Sequence, residues 1–307
     1  MATPQPAVLN RDMGKHQWYV HLSRLDGADM GRIKAAVSQL RKDCDDQGIN
    51  LTIGVGPSLL SDLTDDVPND FQPYETFRSV DGSGKEAKGT QEELLFWLNH
   101  DDKDKVWKTQ YDAREALRED MRVARETMTF IYGNSFDMTG FKDGTGNPDP
   151  ERDVEVAVVP DGEPGAGGSF IIAQRWIHDL EAFNLLPVDE QEKVFGRTKG
   201  DESAKLSPLP PHSHLAHHEL REGKTGDEST PKRDEISRRS TPYAFHDGTV
   251  GLYFMAFCKA QAPLRERMRA MYGMDGQVRD RLTSYSNPAS GSFYFAPSVE
   301  TLDKALS

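Results

Sequence analysis

Residues 16–56 read HQWYVHLSRLDGADMGRIKAAVSQLRKDCDDQGINLTIGVG, and their changing periodicity decides the fold. In His16–Leu25, Trp18, Val20 and Leu22 alternate with Tyr19 and His21, the period of a strand. From Ala28 to Asp46 the period lengthens. Ile33, Val37, Leu40 and Cys44 recur at helical spacing and share one face. Gly48 is placed to cap that helix in a left-handed conformation. Leu51–Val55 is again a strand, stopped by Gly56-Pro57.

Outward from this unit the pattern repeats. Residues 57–90 are rich in Pro, Asp, Gly and Ser and read as a long surface connection. Leu94–Leu98 is a buried strand, Asp101–Arg125 a charged helix and Thr127–Tyr132 a further strand. Strand–helix–strand taken twice is the order of a ferredoxin-like module, an antiparallel sheet covered on one face by helices. The second half follows more loosely. Gly168–Trp176 is a strand, 178–195 holds helical segments, and strand-like pieces fall around 212–220 and 235–243. GLYFMAF (251–257) is a strand, Pro263–Tyr272 a helix with Pro at N1, and SFYFA (292–296) a strand closing the sheet. Residues 197–211 and 221–234 read as polar loops. The expected fold class is α+β, two ferredoxin-like modules over 1–150 and 151–307. A chain of 307 residues suits two modules at ~150 residues each.

Composition removes several functions. Fifty acidic against 37 basic residues give a net charge of −13. Such a surface repels phosphate backbones, and the basic cluster Lys232, Arg233, Arg238, Arg239 is weak, so no nucleic-acid partner is expected. No run approaches the ~18 apolar residues of a membrane span, and residues 1–11 lack a signal-peptide layout. Two distant cysteines, Cys44 and Cys258, exclude a disulfide framework and a Cys-rich metal module. They fit a reducing compartment, so a cytoplasmic location is expected, without a membrane. The chain stops soon after its last strand, and no extended C-terminal tail for encapsulation is expected.

Three groups could carry chemistry. GFKDGTGNPDP (140–150) is a Gly-rich loop with Asp143 at its centre; it reads as a ligand-approaching loop or, more plainly, as an interdomain turn. It lacks the Gly-Lys-Ser/Thr ending of a phosphate loop. His212, His214, His217 and His218 follow Pro210-Pro211. They read as a polar loop, a weak zinc site, or a source of one axial haem ligand. In RRSTPY (238–243), strand alternation puts Arg238 and Ser240 on one face and Arg239 on the other. No Gly-x-Ser-x-Gly elbow supports a serine hydrolase.

Together these blocks resemble the dye-decolourising-type haem peroxidases, in particular the shorter B-type branch. The GxxDG signature in GFKDGTGNP is followed in family order by GGSFIIAQRW (167–176), VFGRTK (194–199), SHLA (213–216), RRSTPY, GLYFMAF and GSFYFAPS (291–298). The resemblance is strong over roughly 90–300 and rests on layout before that. It implies two ferredoxin-like modules with haem b (one iron protoporphyrin IX per chain) held between sheet and helices of the C-terminal module.

Carried over by position, the resemblance makes Asp143 the distal acid–base residue, His214 the proximal iron ligand and Arg238 the distal arginine. Leu252 and Phe254 roof the distal face, and Asp280 is the partner of His214. Gly144, Thr145, Asn147 and Gln174 are cofactor-contact candidates. Ser240 departs from the family, where many relatives carry Asn; it either polarises peroxide or holds a water. The implied reaction reduces hydrogen peroxide and oxidises dyes, phenols or small aromatic reductants through a ferryl intermediate. Trp176, Tyr243 and Tyr285 are possible electron relays, though core packing explains them better. The family commonly assembles as a homo-oligomer, dimer or larger. The competing readings are a haem-handling or iron-release protein with incidental peroxidase activity, and a cofactor-free ferredoxin-like sensor module.

Overall fold

A computed structural model describes residues 2–218 and 235–307. The first half runs α1 (Pro6–Leu9), β1 (His16–Arg24), α2 (Met30–Gln47), β2 (Asn50–Val55), α3 (Pro57–Leu63), β3 (Phe77–Arg78), β4 (Glu86–Ala87), β5 (Leu94–His100), α4 (Lys103–Leu117) and β6 (Met121–Phe130). The second runs α5 (Asp153–Ala157), β7 (Ser169–His178), α6 (Leu180–Asn184), α7 (Val188–Phe195), α8 (His214–His218), β8 (Ser237–Arg238), β9 (Thr241–Ala244), β10 (Val250–Cys258), α9 (Ala262–Met271), β11 (Ser286–Pro288), β12 (Ser292–Ala296) and α10 (Val299–Leu306).

Each half is ferredoxin-like. In the first the strands lie β6-β1-β5-β2; in the second, β12-β7-β10, with β9 paired to β10. All these pairings are antiparallel. The α2 helix forms as its apolar stripe predicts. Asp29 accepts hydrogen bonds from the backbone N–H of Gly31 and Arg32, and Gly48 closes the helix at φ +69°.

SFYFA does not end the sheet. Its Phe295 pairs with Val55 of β2, so β12 joins the two halves into one continuous sheet. That sheet curls until its far ends meet: Thr129 of β6 and Thr241 of β9 share a hydrogen bond of 2.7 Å. Both faces of these strands are therefore covered, which explains their near-continuous apolar runs. Tyr253, Met255 and Phe257 of β10 point into the barrel beside Tyr19, Trp97 and Tyr294. Leu252 and Phe254 point outward, toward the layer carrying the helices.

Four local expectations are corrected. The helix read to Arg125 ends at Leu117, and Met121–Phe130 is an edge strand. Its exposed side carries charge, which imitates a solvated helix. Residues 57–90 hold a short helix and a two-stranded hairpin, with Leu59, Leu60, Phe71, Tyr74, Phe77 and Ala87 buried. The strand-like reading around 212–220 gives way to a short helix, His214–His218; residues 219 and 220 and the loop 221–234 lie outside the described residues. Pro263 stands second in α9, after Ala262.

Candidate functional site

A cavity with two adjoining lobes lies between β7 and β10 on one side and α8 and α9 on the other. Their empty volumes, including the part open to solvent, are about 540 and 780 Å³. His178, His214, His218, Leu252, Phe254 and Leu282 line both lobes.

His214 opens α8 directly after Ser213, whose hydroxyl is tied to the Pro210 carbonyl at 2.7 Å. Its Nδ1 lies 2.6 Å from Oδ2 of Asp280, a carboxylate with no exposed side-chain surface. Burial pushes the Asp280 pKa up, but the His214 ring and the Leu282 N–H more than offset this, and the group is held below the usual range. Its Oδ1 accepts from that Leu282 N–H at 2.8 Å. An ionised Asp280 fixes the proton on Nδ1, which leaves Nε2 as a lone pair turned to the cavity.

His218, one turn on, lies in this space. Its Nε2 is 2.6 Å from His214 Nε2, and its Nδ1 is 3.1 Å from Arg238 Nη2. Burial and the adjacent cations hold its pKa well below 6.5, so the ring is neutral. Of the other histidines in the cluster, His217 bonds the Ser213 and Val278 carbonyls and stays outside the cavity lining. His212 is half-exposed, with its pKa lowered by partial burial and by Arg281.

Arg238 enters from β8. Asn147 clamps its backbone from both sides: Oδ1 accepts from Arg238 N at 2.8 Å and Nδ2 donates to Arg238 O at 3.1 Å. The guanidinium donates to Gly146 O at 2.6 Å. Desolvation and Arg267 lower its pKa to about 10, which leaves it charged at neutral pH. Arg239 turns to the opposite side. It is buried and bonded to Ser237 Oγ, Val8 O and Arg238 O, with Asp153 3.6 Å away.

The pairs Arg238–Ala256 and Thr241–Tyr253 are in phase, so Ser240 sits on the Phe254 side of the sheet. Its Oγ is buried without a hydrogen-bond partner among the described residues. Ser240 lies outside the cavity lining.

Asp143 faces Arg238 across the larger lobe from the 140–150 loop. Gly144, at φ +76°, and Thr145 complete that wall. Desolvation in the pocket pushes the Asp143 pKa up to about 6, against the Gly144 N–H, Arg238 and His214, which pull it down. Gln174 lines the other lobe, but its amide is bonded to Tyr74 OH at 2.7 Å and Trp176 Nε1 at 3.3 Å. Trp176 also lines that lobe, Tyr243 OH donates to Trp176 O at 2.7 Å, and Tyr285 packs against Phe183.

Several wall residues carry no sequence signal of their own. His178 bonds Asp137 Oδ1 at 3.0 Å and Ser286 Oγ at 2.8 Å and reaches both lobes. Gln174, Trp176 and His178 alternate along β7, which is the clue to its face. Leu264, Met268 and Met271 form a helical stripe on α9 that faces the cavity.

The donor set and shape suit a flat apolar cofactor bearing one metal. His214 Nε2 is oriented so that it could serve as a ligand, leucine, isoleucine, methionine and phenylalanine supply the walls, and an acid and a fixed cation stand in the same lobe. Among the described residues no group of three or more His, Cys, Asp or Glu side chains could hold a bare ion.

Comparison with known proteins places this site in context. Residues 134–301 match the family model described as Dyp-type peroxidase, C-terminal. The chain is 29% identical to a dye-decolorizing peroxidase of Mycolicibacterium paratuberculosis over 252 residues, covering 80% of this chain and 70% of that one. It is 28% identical over 263 residues to one from Rhodococcus erythropolis, covering 83% and 74%. Among solved structures, DyPB of Rhodococcus jostii RHA1 superposes with a TM-score of 0.87 at 26% identity, covering 98% of this chain and 97% of that one. A variant of that protein solved in complex with heme gives 0.87 at 25% identity, covering 98% of both chains.

Proposed function

The chain belongs to the Dyp-type peroxidase family, and from that premise we propose that it is a haem b peroxidase that reduces hydrogen peroxide and oxidises dyes, phenols or other small aromatic reductants. The observation that carries this reading is the 2.6 Å contact of His214 Nδ1 with Asp280, which aims Nε2 into an apolar cavity shared with Arg238 and Asp143. When bound, the haem supplies the iron on which peroxide is cleaved and through which reductants lose electrons.

The protein's own part divides among several side chains. His214 would hold the iron, and Asp280 would strengthen it as a donor through its second ring nitrogen. Asp143 takes the proton from the peroxide oxygen that approaches the metal and returns one to the departing oxygen. Arg238 cannot serve as a base near neutrality; its fixed charge stabilises the negative charge that develops as the O–O bond lengthens. Leu252 and Phe254 keep that face dry, which strengthens the charge terms. Ser240 Oγ, buried without a partner, is suited to hold a water near that face.

The test is direct. Protein supplied with haem develops a Soret band that responds to peroxide, and turns over phenolic and dye substrates. Lack of haem uptake at this site overturns the reading. Haem handling is the second reading, and one contact favours it: His218 lies against the same His214 nitrogen that a metal needs. Sustained turnover with retained haem supports the peroxidase; ready transfer of intact haem to an acceptor protein supports the alternative.

We further read the chain as two modules divided near residue 150. The buried thiols of Cys44 and Cys258, neither of them in a disulfide, accord with a cytoplasmic site. Among the described residues no helix is long and apolar enough to cross a membrane. Assembly as a dimer or larger is read by light scattering.

A further inference from the structure

Strand β10 is a wall with chemistry on both sides. Leu252 and Phe254 face the cavity, and Tyr253 between them faces the barrel interior. There Tyr253 is fully buried, and its hydroxyl is 2.6 Å from Nε2 of His21. The other nitrogen of His21 is 2.7 Å from the hydroxyl of Tyr294, also fully buried. Tyr19 stacks on Tyr253 with ring centroids 3.6 Å apart, and Trp97 lies parallel beyond Tyr19 at 6.0 Å.

The proton positions in this set follow from its partners. Burial, with Arg125 and Arg175 nearby, lowers the His21 pKa to about 3, so the ring is neutral and carries one N–H. Tyr294 also meets the Ser292 hydroxyl, whose own hydrogen goes to the Thr90 carbonyl at 2.8 Å. Tyr294 has Ser292 beside it as well as His21, whereas the Tyr253 hydroxyl has His21 alone among the described residues, so the tautomer that gives the Tyr253 proton an acceptor carries its hydrogen on Nδ1, toward Tyr294. Nε2 is then the lone pair, and Tyr253 donates to it. Among the described residues His21 is the one hydrogen-bond partner of that hydroxyl. A phenol already bonded to a neutral base is the arrangement that one-electron oxidation requires, because the phenol must shed its proton as the electron leaves.

We propose that Tyr253 is a redox-active residue that stores an oxidising equivalent in the barrel interior, with His21 as its proton acceptor. The proposal rests on the peroxidase reading, since the peroxide-oxidised haem is the oxidant. Tyr253 gives up one electron to it, and its phenolic proton passes to His21 Nε2. The products are a neutral phenoxyl, a haem reduced by one electron and an imidazolium. When a reductant later returns an electron, the proton moves back. Stacking on Tyr19 spreads the unpaired electron and lowers the cost of this state. The role is to hold the oxidising equivalent away from the cavity when no reductant is present.

The experiment mixes the haem-loaded protein with one equivalent of peroxide without reductant, freezes it, and records electron paramagnetic resonance beside the absorption spectrum. A radical signal that narrows with ring-deuterated tyrosine is expected, and Tyr253→Phe should remove at least nine-tenths of it while the Soret response persists. In wild type carrying ¹⁵N-histidine, double resonance should detect a nitrogen coupled to the radical. That measurement needs no variant and stands if Tyr253→Phe does not fold. An unchanged signal in Tyr253→Phe, no histidine coupling, or no tyrosyl signal despite a normal Soret response overturns the proposal and leaves the peroxidase reading intact. A Soret band indifferent to peroxide overturns both, because no oxidant is then formed.

Discussion

Nε2 of His218 lies 2.6 Å from Nε2 of His214, the ring nitrogen that Asp280 leaves turned to the cavity. One lone pair cannot serve a metal and a neighbouring imidazole together. Metal ligation at His214 therefore breaks this contact. A hydrogen bond is worth a net ~0.5–1.5 kcal/mol, so removing the competitor should tighten haem binding by about 2–12-fold per bond lost. His218→Ala is expected to bind haem faster and more tightly, measured by Soret titration and stopped-flow uptake. Weaker binding would mean that His218 holds the haem.

The pair His214–Asp280 sets the opposite expectation. His214→Ala should lose haem, whereas His212→Ala and His217→Ala should keep it, since both lie outside the cavity lining. Loss of a carboxylate partner typically costs about 10–100-fold in metal affinity. Asp280→Ala should therefore speed haem transfer to an acceptor protein by a factor in that range. It also removes the acceptor for Leu282 N–H, so a thermal melt is needed beside the transfer assay. A normal five-coordinate histidine spectrum in His214→Ala would overturn the ligand assignment.

Parts of this were readable in advance, for physical reasons. The stretch 16–56 alternates cleanly because β1 and β2 present one face to helices and the other to the barrel. Met121–Arg125 misleads because an edge strand with a wet face carries charge at helix-like density. Asp143, His214 and Arg238 stand in the motifs that carry the family resemblance, and the structure brings all three to the wall of one lobe. His178, His218 and the α9 stripe join the site only through packing, and Ser240 falls outside the cavity lining despite its register. The raised pKa of Asp143 comes from burial, which no local pattern encodes.

That pKa changes the expected pH dependence. An Asp with an ordinary pKa near ~3.9 would be ionised throughout the working range, and dye oxidation would be strongest in acid for lack of a distal histidine. With Asp143 at about 6, the base form is lost as pH falls through 6. The second-order rate constant with peroxide should therefore rise with pH across that value and level off above it. Asp143→Asn should remove the inflection. Dye oxidation still gains from acid through the substrates' potentials, so steady-state profiles should peak below neutrality, below the plateau of the peroxide step. A peroxide step that is flat between pH 4.5 and 7.5 would contradict this.

His21 contributes to acid stability. Its folded pKa, lowered to about 3, lies below the unfolded value of ~6.5. Between these values the unfolded chain holds a proton that the native ring refuses, so stability rises with pH there and falls as pH drops below 6.5. Each unit in that window is worth up to about 1.4 kcal/mol. Thermal melts should fall steeply from pH 6.5 to 4, and His21→Gln, which keeps a donor and an acceptor but does not titrate, should flatten the fall.

The last prediction ranks Arg238 against Asp143 in peroxide cleavage. Arg238 supplies a fixed charge in a lobe that Lys142 and Arg197 also line, and Arg197 is engaged with the Ser203 carbonyl at 2.8 Å. Arg239 is buried on the other side with its donors engaged, and Arg267, near enough to depress the Arg238 pKa, lies in the other lobe. Losing such preorganised charge costs about 100–1,000-fold. Proton transfer by Asp143 is worth about 100–10,000-fold only when no substitute exists. Here one is at hand: His218 is neutral, lines the same lobe and has ring nitrogens within reach of Arg238. Arg238→Leu should therefore slow the reaction with peroxide more than Asp143→Ala, with haem retained in both. The substitute predicts a further result. Asp143→Ala combined with His218→Ala should fall well below the product of the two single effects, because each single variant still keeps one proton carrier. Second-order rate constants for the four variants at one pH where wild type is fast decide the matter. If Asp143→Ala alone abolishes the reaction while Arg238→Leu leaves it nearly intact, the order is reversed and Asp143 is the essential base.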